Sequence, residues 1–226
     1  MNLIITPTYK AYKYVKMLCE TLDKNATQPF LHILVDDNSP EIPPVKVTEN
    51  RKLILLRNDT DPNLHTSQMG QCIDIAFDYA NNLQEDKGDR GRRKVEFNNI
   101  FYIESDVMPH KNFDIDLIEI ARNLGDDWAT LDTHSVDEKG NTTYPATIAH
   151  RIRAIDEEGG LDILPHADFQ CMLINKKILK LFRFNDFPSH WDMLISRKLE
   201  EKWKFYRTRK INSVHYAGAS REELPK

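Results

Sequence analysis

Carboxylate side chains follow short apolar segments at two places in this chain of 226 residues. Asp36 and Asp37 follow one such segment, and Glu104 and Asp106 follow another. Two carboxylates at positions i and i+2 of a turn supply oxygen ligands to one hard divalent cation, which typically keeps waters and binds substrate phosphates. The spacing of Glu104 and Asp106 therefore indicates a site for a divalent cation beside a phosphate-bearing ligand.

Both acidic segments also fit a structural interpretation. The sequence Asp-Asp-Asn-Ser-Pro, from residue 36 to residue 40, forms turns by itself, and Asp106 is placed to cap a following helix. Their position favours the functional interpretation, because ligands of open parallel sheets bind beyond the carboxyl ends of the strands. The residues that follow the first apolar segment would join this edge of the sheet: Thr6, Pro7, Thr8 and Tyr9.

The elements that must position these residues alternate along the first half of the chain. Short apolar runs predict buried strands, and apolar residues at i, i+3, i+4 and i+7 predict helices. The alternation predicts an α/β fold with a mostly parallel sheet and helices on both faces. The predicted strands are Leu3–Thr6, Leu31–Val35, Leu53–Leu56 and Ile100–Ile103, and the predicted helices lie around Val15–Leu22, Ser67–Leu83 (capped by Thr66 or Ser67) and Phe113–Leu124.

Two stretches break this alternation before it resumes in the last third of the chain. Glu85–Glu96 has nine charged residues in twelve, which predicts a solvated loop. Turn-forming and polar residues dominate Asp132–Pro165, which is long for a connector and predicts an active-site loop. The remaining predicted elements are a strand at Cys171–Ile174, a short helix at Lys176–Phe182, a helix marked by Trp191, Leu194, Ile195 and Leu199, and closing strands at Trp203–Tyr206 and Ile211–Val214.

The composition indicates a soluble globular protein. The 31 basic and 35 acidic residues give a net charge of -4, which disfavours a dedicated nucleic-acid binder. The basic and aromatic segment Arg197–Lys210 fits a solvated helix face with core aromatics, or a surface for a phosphate-bearing or nucleic-acid acceptor. No apolar run approaches the roughly 20 residues of a membrane span. Three cysteines without a paired spacing indicate reduced thiols, so we expect a cytoplasmic protein.

Six segments resemble, in the correct order, motifs of the inverting nucleotide-sugar glycosyltransferases with the GT-A fold. Glu104 replaces the first Asp of the family's D-x-D motif, and Trp191 stands where a Glu usually precedes the catalytic Asp. His65 and Met69 stand where the family often has Gly and Asn. The resemblance covers most of the chain, in the segments Ile4–Tyr9, Leu34–Ser39, Asn63–Gly70, Ile103–Pro109, Trp191–Arg197 and Ser213–Tyr216.

This resemblance implies roles for the matching residues. Asp192 would be the catalytic base. A divalent cation, Mn2+ or Mg2+, would be held by Glu104, Asp106 and His215. The nucleotide sugar would be bound by Thr6, Pro7, Thr8, Tyr9, Asp36, Asp37, Gln68, Ser105 and Asp106.

Four further residues are candidate contacts of donor or acceptor. His166 and Asp168 lie just before a predicted strand, and His190 and Trp191 lie next to the proposed base. A packing or surface role is the alternative for each histidine, because such roles are commoner than ligand binding.

The implied reaction is metal-dependent transfer of a sugar from a nucleotide diphosphate to a hydroxyl, by direct displacement with inversion. The acceptor would be a glycan or another hydroxyl compound, and a nucleic-acid acceptor is less favoured. We expect one GT-A domain over residues 1–226, with a nucleotide-binding half (1–110) and an acceptor and catalytic half (111–226).

Two other functions are compatible with the residues. A nucleotidyltransferase uses a similar sheet and metal, but it usually carries a glycine-rich loop after the first strand, and Thr6–Lys10 contains no glycine. A non-catalytic nucleotide-binding module would share the fold. This function is disfavoured because the chain has a candidate residue at each position of the metal ligands and the catalytic base: Glu104, Asp106, His215 and Asp192.

Overall fold

The computed structural model describes residues 1–43, 45, 48, 51–59, 68–86, 92–143, 153–156, 160–187 and 191–216. The strands over these ranges are β1 (Asn2–Thr8), β2 (Phe30–Asp36), β3 (Arg51–Arg57), β4 (Gln84–Asp86), β5 (Arg92–Lys94), β6 (Ile100–Ile103), β7 (Val107–Pro109), β8 (Trp128–Val136), β9 (Arg153–Asp156), β10 (Leu161–Leu164), β11 (Cys171–Ile174) and β12 (Lys204–His215). The helices are α1 (Tyr12–Asn25), α2 (Gln68–Asn82), α3 (Phe113–Arg122) and α4 (Trp191–Leu199), with 3₁₀ turns at Ile178–Lys180 and Phe184–Asp186.

Ten of these strands form one sheet, in the order β3-β2-β1-β6-β11-β8-β12-β10-β9, with β7 paired to β12. The half formed by β3, β2, β1 and β6, called here the parallel half, has parallel pairings. β1 and β2 are buried along their whole length, and their apolar runs suit strands covered on both faces. Strand order reverses between β1 and β6, and their pairing ends at Ile5 and Tyr102. A ligand crevice is expected at such a reversal.

Alternate residues of β1 enter two layers of core on opposite faces of the sheet, because successive side chains of a strand point in opposite directions. Ile4 belongs to the layer that contains Leu18 of α1 and Leu117 of α3. Ile5 belongs to the layer that contains Ala76 of α2. Helices therefore cover both faces, as the alternation of elements predicts.

The start of α2 is fixed by a close approach to the 3₁₀ turn at Phe184–Asp186. A Cβ at Gly70 would lie 2.9 Å from the carbonyl oxygen of Phe184, so only glycine allows this distance. The Asp74 carboxylate accepts hydrogen bonds from the backbone N–H groups of Phe184 (3.0 Å) and Asn185 (2.8 Å).

The other half of the sheet, formed by β11, β8, β12, β10 and β9, is called here the mixed half. β11 runs antiparallel to β6 and β8, β12 runs parallel to β8, and β10 runs antiparallel to β12 and β9. The α/β class, with one sheet flanked by helices, is confirmed. The sheet is mixed, since its parallel pairings are confined to the parallel half and to the pair of β8 and β12.

The sequence predictions fail mainly in the mixed half. The closing strands predicted at Trp203–Tyr206 and Ile211–Val214 are one strand, β12, whose register with β8 shifts between Thr208 and Asn212. The predicted loop Asp132–Pro165 contains the end of β8 and the whole of β9 and β10. β8 has no long apolar run, because residues 132–135 are four consecutive polar residues, and all of these except His134 are buried.

Smaller differences concern short elements. The helix predicted at Lys176–Phe182 is only the 3₁₀ turn Ile178–Lys180, and the charged segment Glu85–Glu96 contains part of the β4–β5 hairpin. The predicted helix caps Thr66 and Ser67 lie outside the described residues. The three cysteines are buried and unbridged. None of the described helices is long and apolar enough to cross a membrane.

Candidate active site

Two carboxylates and an imidazole come together at the carboxyl end of β6. Candidate ligand atoms of Glu104, Asp106 and His215 all lie within 4.8 Å of one another. His215 Nε2 is 3.8 Å from Asp106 Oδ2. Asp106 and the intervening Ser105 are buried, whereas Glu104 and His215 are partly buried. The structure thus brings together the three residues that the resemblance assigns to a cation.

The short strand β7 makes this meeting possible. The turn after β6 closes with a hydrogen bond from the backbone N of Val107 to the carbonyl oxygen of Glu104 (3.1 Å). β7 then pairs with the end of β12, which sets His215 opposite Val107. The backbone N of Tyr216 donates to the carbonyl oxygen of Asp106 (3.0 Å). Hydrogen bonds therefore fix the backbone on both sides of the cluster.

Buried hydroxyl groups support the cluster from the strands around it. Thr133 Oγ1 lies 2.7 Å from Ser213 Oγ and donates to the carbonyl oxygen of Cys171 (3.2 Å). The Ser135 hydroxyl donates to the side-chain oxygen of Gln170. The carbonyl oxygen of Gln170 accepts the first N–H after β6 (2.8 Å). These bonds join β8, β11 and β12 to the acidic turn.

The three side chains fit a divalent cation. Burial lowers the pKa of His215, and the charge of Asp106 opposes this effect. A neutral imidazole is the form that binds a metal, and Nδ1 of His215 is buried with no hydrogen-bond partner among the described residues. Carboxylates suit Mg2+ and Mn2+, whereas imidazole suits transition metals. A set of two carboxylates and one imidazole therefore suits a divalent cation.

Asp36 is engaged by its own turn. Its buried carboxylate accepts hydrogen bonds from the backbone N (3.1 Å) and the hydroxyl of Ser39. Burial raises the pKa of Asp36, and the bonds from Ser39 oppose this effect. The backbone N of Lys10 donates to Ser39 Oγ (2.8 Å), which ties the loop after β1 to the loop after β2. Asp36 thus determines the shape of the edge on which Asp37 lies.

Asp37 and Asn58 form a hydrogen-bonded pair at the ends of β2 and β3. Asn58 Nδ2 donates to Asp37 Oδ1 (3.0 Å), and both residues are buried. The backbone N of Asp37 donates to the carbonyl oxygen of Thr8 (2.8 Å), and that of Asn58 donates to the carbonyl oxygen of Asp36 (2.8 Å). Sequence reasoning missed Asn58, although the signal used elsewhere, a polar residue close after an apolar run, marks it too.

The residues predicted after the first strand divide into two pairs. Thr6 and Pro7 lie inside β1, which extends to Thr8. Thr6 Oγ1 is 3.0 Å from His32 Nε2, so this hydroxyl is used within the sheet and does not reach the crevice. Thr8 Oγ1 is buried and has no hydrogen-bond partner in the described part of the chain. Thr8 and Tyr9 therefore remain as candidates at the end of the strand.

A row of buried ionisable side chains crosses the mixed half. Asp132 of β8, Arg207 of β12 and Asp162 of β10 are register partners. Arg207 donates from Nε (3.2 Å) and Nη2 (2.6 Å) to Asp162 Oδ2, and Arg209 Nε lies 3.4 Å from Asp162 Oδ1. Asp132 Oδ1 has no hydrogen-bond partner among the residues described. No pattern in the sequence indicated this row.

Asp168 lies beside that row. Burial raises the pKa of Asp132 well above its ordinary value, and the charge of Asp168 adds to the effect. The next residue, Phe169, has a left-handed backbone with φ of 53°, a conformation that costs a non-glycine residue on the order of 1 kcal/mol. Edge-to-face contacts with Tyr102 (5.6 Å) and Phe184 (6.0 Å) hold its ring in the core.

The segment around His166 is attached to helix α4. The backbone N of Ala167 donates to Ser196 Oγ (3.0 Å), and His166 is partly buried. Helix α4 begins at Trp191, as the apolar spacing predicts. His190 lies outside the described residues, and so do the side chains of Gln68, Trp191 and Asp192.

No family model matches the sequence, and no curated protein matches it either. Solved structures do match the fold. The mannosyltransferase PcManGT from Pyrobaculum calidifontis, in complex with GDP-Man and Mn2+, matches 96% of this chain with a TM-score of 0.61 and 12% identity. GalNAc-T7 with UDP, GalNAc and Mn2+ matches 100% of the chain with a TM-score of 0.64 and 11% identity.

A third similar structure contains a nucleotide sugar. Residues 1–349 of TarS from S. aureus, in complex with UDP-GlcNAc, match 99% of this chain with a TM-score of 0.57 and 15% identity. The matches cover 62% of the TarS chain, 58% of the PcManGT chain and 45% of the GalNAc-T7 chain. This chain therefore spans between about half and three fifths of the length of these proteins. At such low identities the likeness establishes the fold.

Proposed function

Because the chain has the fold of the GT-A glycosyltransferases, we propose that it transfers a sugar from a nucleotide-diphosphate sugar to an acceptor hydroxyl. The reaction is a direct displacement that depends on a divalent cation and inverts the anomeric carbon. UDP-GlcNAc in TarS and GDP-Man in PcManGT support a nucleotide sugar as the class of donor.

The meeting of Glu104, Asp106 and His215 is the observation that carries this proposal. These residues come from two distant parts of the chain, and their ligand atoms lie within 4.8 Å of one another at the carboxyl end of β6. Mn2+ in GalNAc-T7 and PcManGT supports a cation here. Bound by these three residues, the ion would act as a Lewis acid on the departing diphosphate.

The other residues of the chain bind and orient the two substrates. At the carboxyl edge of the parallel half, the Asp37 carboxylate accepts hydrogen bonds from the nucleoside, and Thr8 and Tyr9 line the same edge. On the side of α4, Asp192 accepts the proton of the acceptor hydroxyl as that hydroxyl attacks the anomeric carbon. Asp168 and His166 lie next to α4 and would contact the sugar or the acceptor.

The two competing functions have less support. A nucleotidyltransferase usually carries a glycine-rich loop after β1, whereas this loop is Tyr9-Lys10-Ala11 and is tied to Ser39 by a backbone hydrogen bond. A binding module without catalysis would have no need of a cation cluster supported by hydrogen bonds from β7, β8 and β12.

Calorimetry with UDP, GDP, UDP-GlcNAc and GDP-Man, with and without Mn2+, tests the proposal. We expect at least one of these compounds to bind, and Mn2+ to increase its affinity. Asp106→Ala should abolish the effect of Mn2+, and Glu104→Ala should weaken it less. Asp126→Ala is a matched control, because this exposed carboxylate pairs with Lys177 away from the cluster.

Two outcomes would contradict the proposal. If Mn2+ increases the affinity of Asp106→Ala as much as that of the wild type, the cation does not bind at this cluster. Binding of nucleotides without any release of sugar, from any donor in a broad panel, would favour a binding module. Where transfer occurs, NMR of the product reports the anomeric configuration, and retention of configuration would contradict a single displacement.

A further inference from the structure

A cavity of about 570 Å³ lies at the edge of the sheet opposite to the cation cluster. Asn98 and Asn99, which precede β6, line one side of it, and Leu173 and Ile174 at the end of β11 line another. About 15 Å of strand separates Asn99 from Glu104 of the cluster, because β6 lies between them. Cavities of roughly 300–1,000 Å³ hold small molecules, and the proposed reaction does not use this one.

The charged side chains among the described residues that line the cavity are all basic. They are Arg122 of α3 and, after β11, Lys176 and Lys177. Lys176 Nζ donates to the carbonyl oxygen of Phe97 (2.9 Å), which is a neutral partner. Lys177 Nζ pairs with Asp126 (2.7 Å), whose side chain is 95% exposed, and pairs between exposed groups contribute little. The cavity is therefore positively charged, although the whole chain has a net charge of -4.

A buried amide fixes the polar side chains on one side of the cavity. Asn2 is 2% exposed. Its Nδ2 donates to Gln28 Oε1 (3.2 Å), and its Oδ1 accepts a hydrogen bond from Asn99 Nδ2 (2.9 Å). Because Asn2 uses the oxygen of Gln28, the NH2 group of this lining residue is the part that a ligand can contact as a hydrogen-bond donor.

A second buried amide, that of Asn175, holds the other side. Its Nδ2 donates to the carbonyl oxygen of Trp128 (2.8 Å), and its Oδ1 accepts a hydrogen bond from the backbone N of Lys177 (3.0 Å). These bonds join the start of β8 to the segment after β11. The indole of Trp128 is partly buried against the core and also lines the cavity, so it offers an apolar surface to a ligand.

The polar groups of this lining are mainly hydrogen-bond donors. Guanidinium and ammonium groups donate hydrogen bonds and accept none, and the NH2 group of Gln28 adds another donor. The oxygens of a phosphate or a carboxylate are acceptors, and their charge strengthens each hydrogen bond to a cationic donor. The complementary ligand is therefore a molecule with an anionic group and an apolar part.

We propose that this cavity binds a small organic anion, whose phosphate or carboxylate group is held by Arg122, Lys176 and Lys177 and whose apolar part lies on Trp128. The site is separate from the cation cluster, so the inference does not depend on the proposed function. An anion can occupy this cavity while a donor occupies the opposite edge of the sheet.

Three sugars that differ in one group test the proposal. Glucose 6-phosphate, glucuronate and glucose carry a phosphate, a carboxylate and a hydroxyl group on the same ring carbon chain. NMR of the 15N-labelled protein at constant ionic strength follows the indole N–H of Trp128 and the side-chain amide of Gln28, which are assigned with Trp128→Phe and Gln28→Ala. We expect both signals to shift in a saturable way with at least one anion, at least about tenfold more tightly than with glucose.

Two variants separate binding in the cavity from attraction to positive charge. Arg122→Met keeps most of the apolar stem and removes the guanidinium, and it should weaken binding of the anion by about tenfold. Arg122 is exposed, so this change should leave the fold intact. Lys139→Met is the matched control, because it removes an exposed cation beyond the opposite end of β8 and should leave binding unchanged.

Every outcome supports or overturns the site. Tighter binding of glucose 6-phosphate would identify a phosphate as the anionic group, and tighter binding of glucuronate would identify a carboxylate. The proposal is wrong if neither anion shifts the two signals, if glucose binds as tightly as the anions, or if folded Arg122→Met binds them as the wild type does. An equal loss in Lys139→Met would show attraction to charge alone and would also overturn it. None of these results changes the test of the cation cluster.

Discussion

The two halves of the sheet bury polar groups in different places. In the parallel half, the bodies of the strands are apolar, and the acidic residues lie just beyond their ends, as at Asp37 and Asp106. In the mixed half, charged residues lie within the strands themselves, where Asp132, Arg207 and Asp162 form a row. The parallel half thus has its acidic residues at its edge, whereas the mixed half has ionisable side chains in its interior.

Within the parallel half, two buried side chains depart from this pattern: Arg51 at the start of β3, which pairs with Asp23 of α1 (3.0 Å), and His32 of β2. His32 lies in the middle of β2, fully buried, between Thr6 (3.0 Å) and Nη1 of Arg51 (3.5 Å). Burial lowers its pKa to about 3, and the charge of Arg51 adds to this effect. Because Arg51 is a donor only, His32 Nδ1 accepts its hydrogen bond and Nε2–H donates to Thr6. The two halves therefore bury ionisable groups whose pKa values shift in opposite directions: the pKa of His32 is lowered, and the pKa of Asp132 is raised.

Asp192→Asn should have the largest effect. It tests whether Asp192, in the half of the chain assigned to the acceptor, is the general base. The change keeps the shape of the side chain but removes its ability to take a proton. We expect the rate of sugar transfer to fall by about 100- to 10,000-fold, with donor affinity unchanged. Release of nucleotide diphosphate in steady state and calorimetry with the donor are the two measurements.

A matched change away from the site controls for charge. Asp127→Asn removes a carboxylate that pairs with Lys204 (2.6 Å) before the start of β8, and it should leave turnover unchanged. Near-native turnover in Asp192→Asn would show that Asp192 only begins helix α4, where a carboxylate favours the helix N-terminus.

Arg207→Met should have the second largest effect, on stability. It leaves Asp162 with Arg209 as its remaining partner among the described side chains and removes a positive charge that acts on Asp132. Breaking one partner of a buried ion pair costs about 3–5 kcal/mol of unfolding free energy. Urea unfolding measures this loss, and Lys177→Met, which breaks an exposed pair with Asp126, should show no comparable loss. Equal effects of the two changes would remove the contrast between the interior row and the surface.

Acid should destabilise the protein through His32. Its folded-state pKa of about 3 lies below the ordinary value of 6.5, so the unfolded chain takes up a proton first as the pH falls. The full contribution of neutral His32 to stability is present above the ordinary pKa, and it declines as the pH falls toward the folded-state pKa. Between pH 7 and pH 5.5 the loss is about 1 kcal/mol. His32→Asn should lack this part of the acid dependence, and an unchanged slope in urea unfolding would contradict it.

A rise in pH should destabilise the protein through Asp132. Its folded-state pKa is raised, so the folded protein holds a proton that the unfolded chain has lost. The stability associated with this proton is lost as the pH rises through the folded value. Asp132→Asn should therefore melt higher relative to the wild type as the pH rises, by about 2–4 °C for each kcal/mol. A constant difference in melting temperature between pH 5 and pH 8 would show that Asp132 is ionised throughout.

The sequence predicts the strands of the parallel half and also β11, the apolar strand of the mixed half, with its observed bounds. It predicts the other strands of the mixed half poorly, for one physical reason. Strands such as β2 and β6 are buried on both faces and read as apolar runs, so Ile100–Ile103 is predicted with its observed bounds. β8 and β12 bury polar side chains that are satisfied by distant partners, such as Thr133 with Ser213. A pattern of local hydrophobicity contains no information about those partners.

The residues of the candidate site also differ in whether the sequence could indicate them. The proximity of Glu104, Asp106 and His215 was implied by the resemblance and is present in the structure, while their role as ligands stays a prediction. Asn58 could have been found, because it lies directly after β3. Arg207 and Asp162 could not, because their pairing depends on a register between β10 and β12 that no local signal contains.

The pairing of β7 with β12 determines when the cluster of Glu104, Asp106 and His215 can form during synthesis of the chain. Val107 and His215 are separated by nearly half of the chain, and the cluster needs both. Contacts between such distant residues form late in folding, because the long loop between them must be closed first. A ribosome-bound chain that has not yet released β12 can pair β1 with β2 and β6, yet it has only two carboxylates and no imidazole for the ion. On the proposed function, the complete cation site is therefore absent until β12 has joined the sheet.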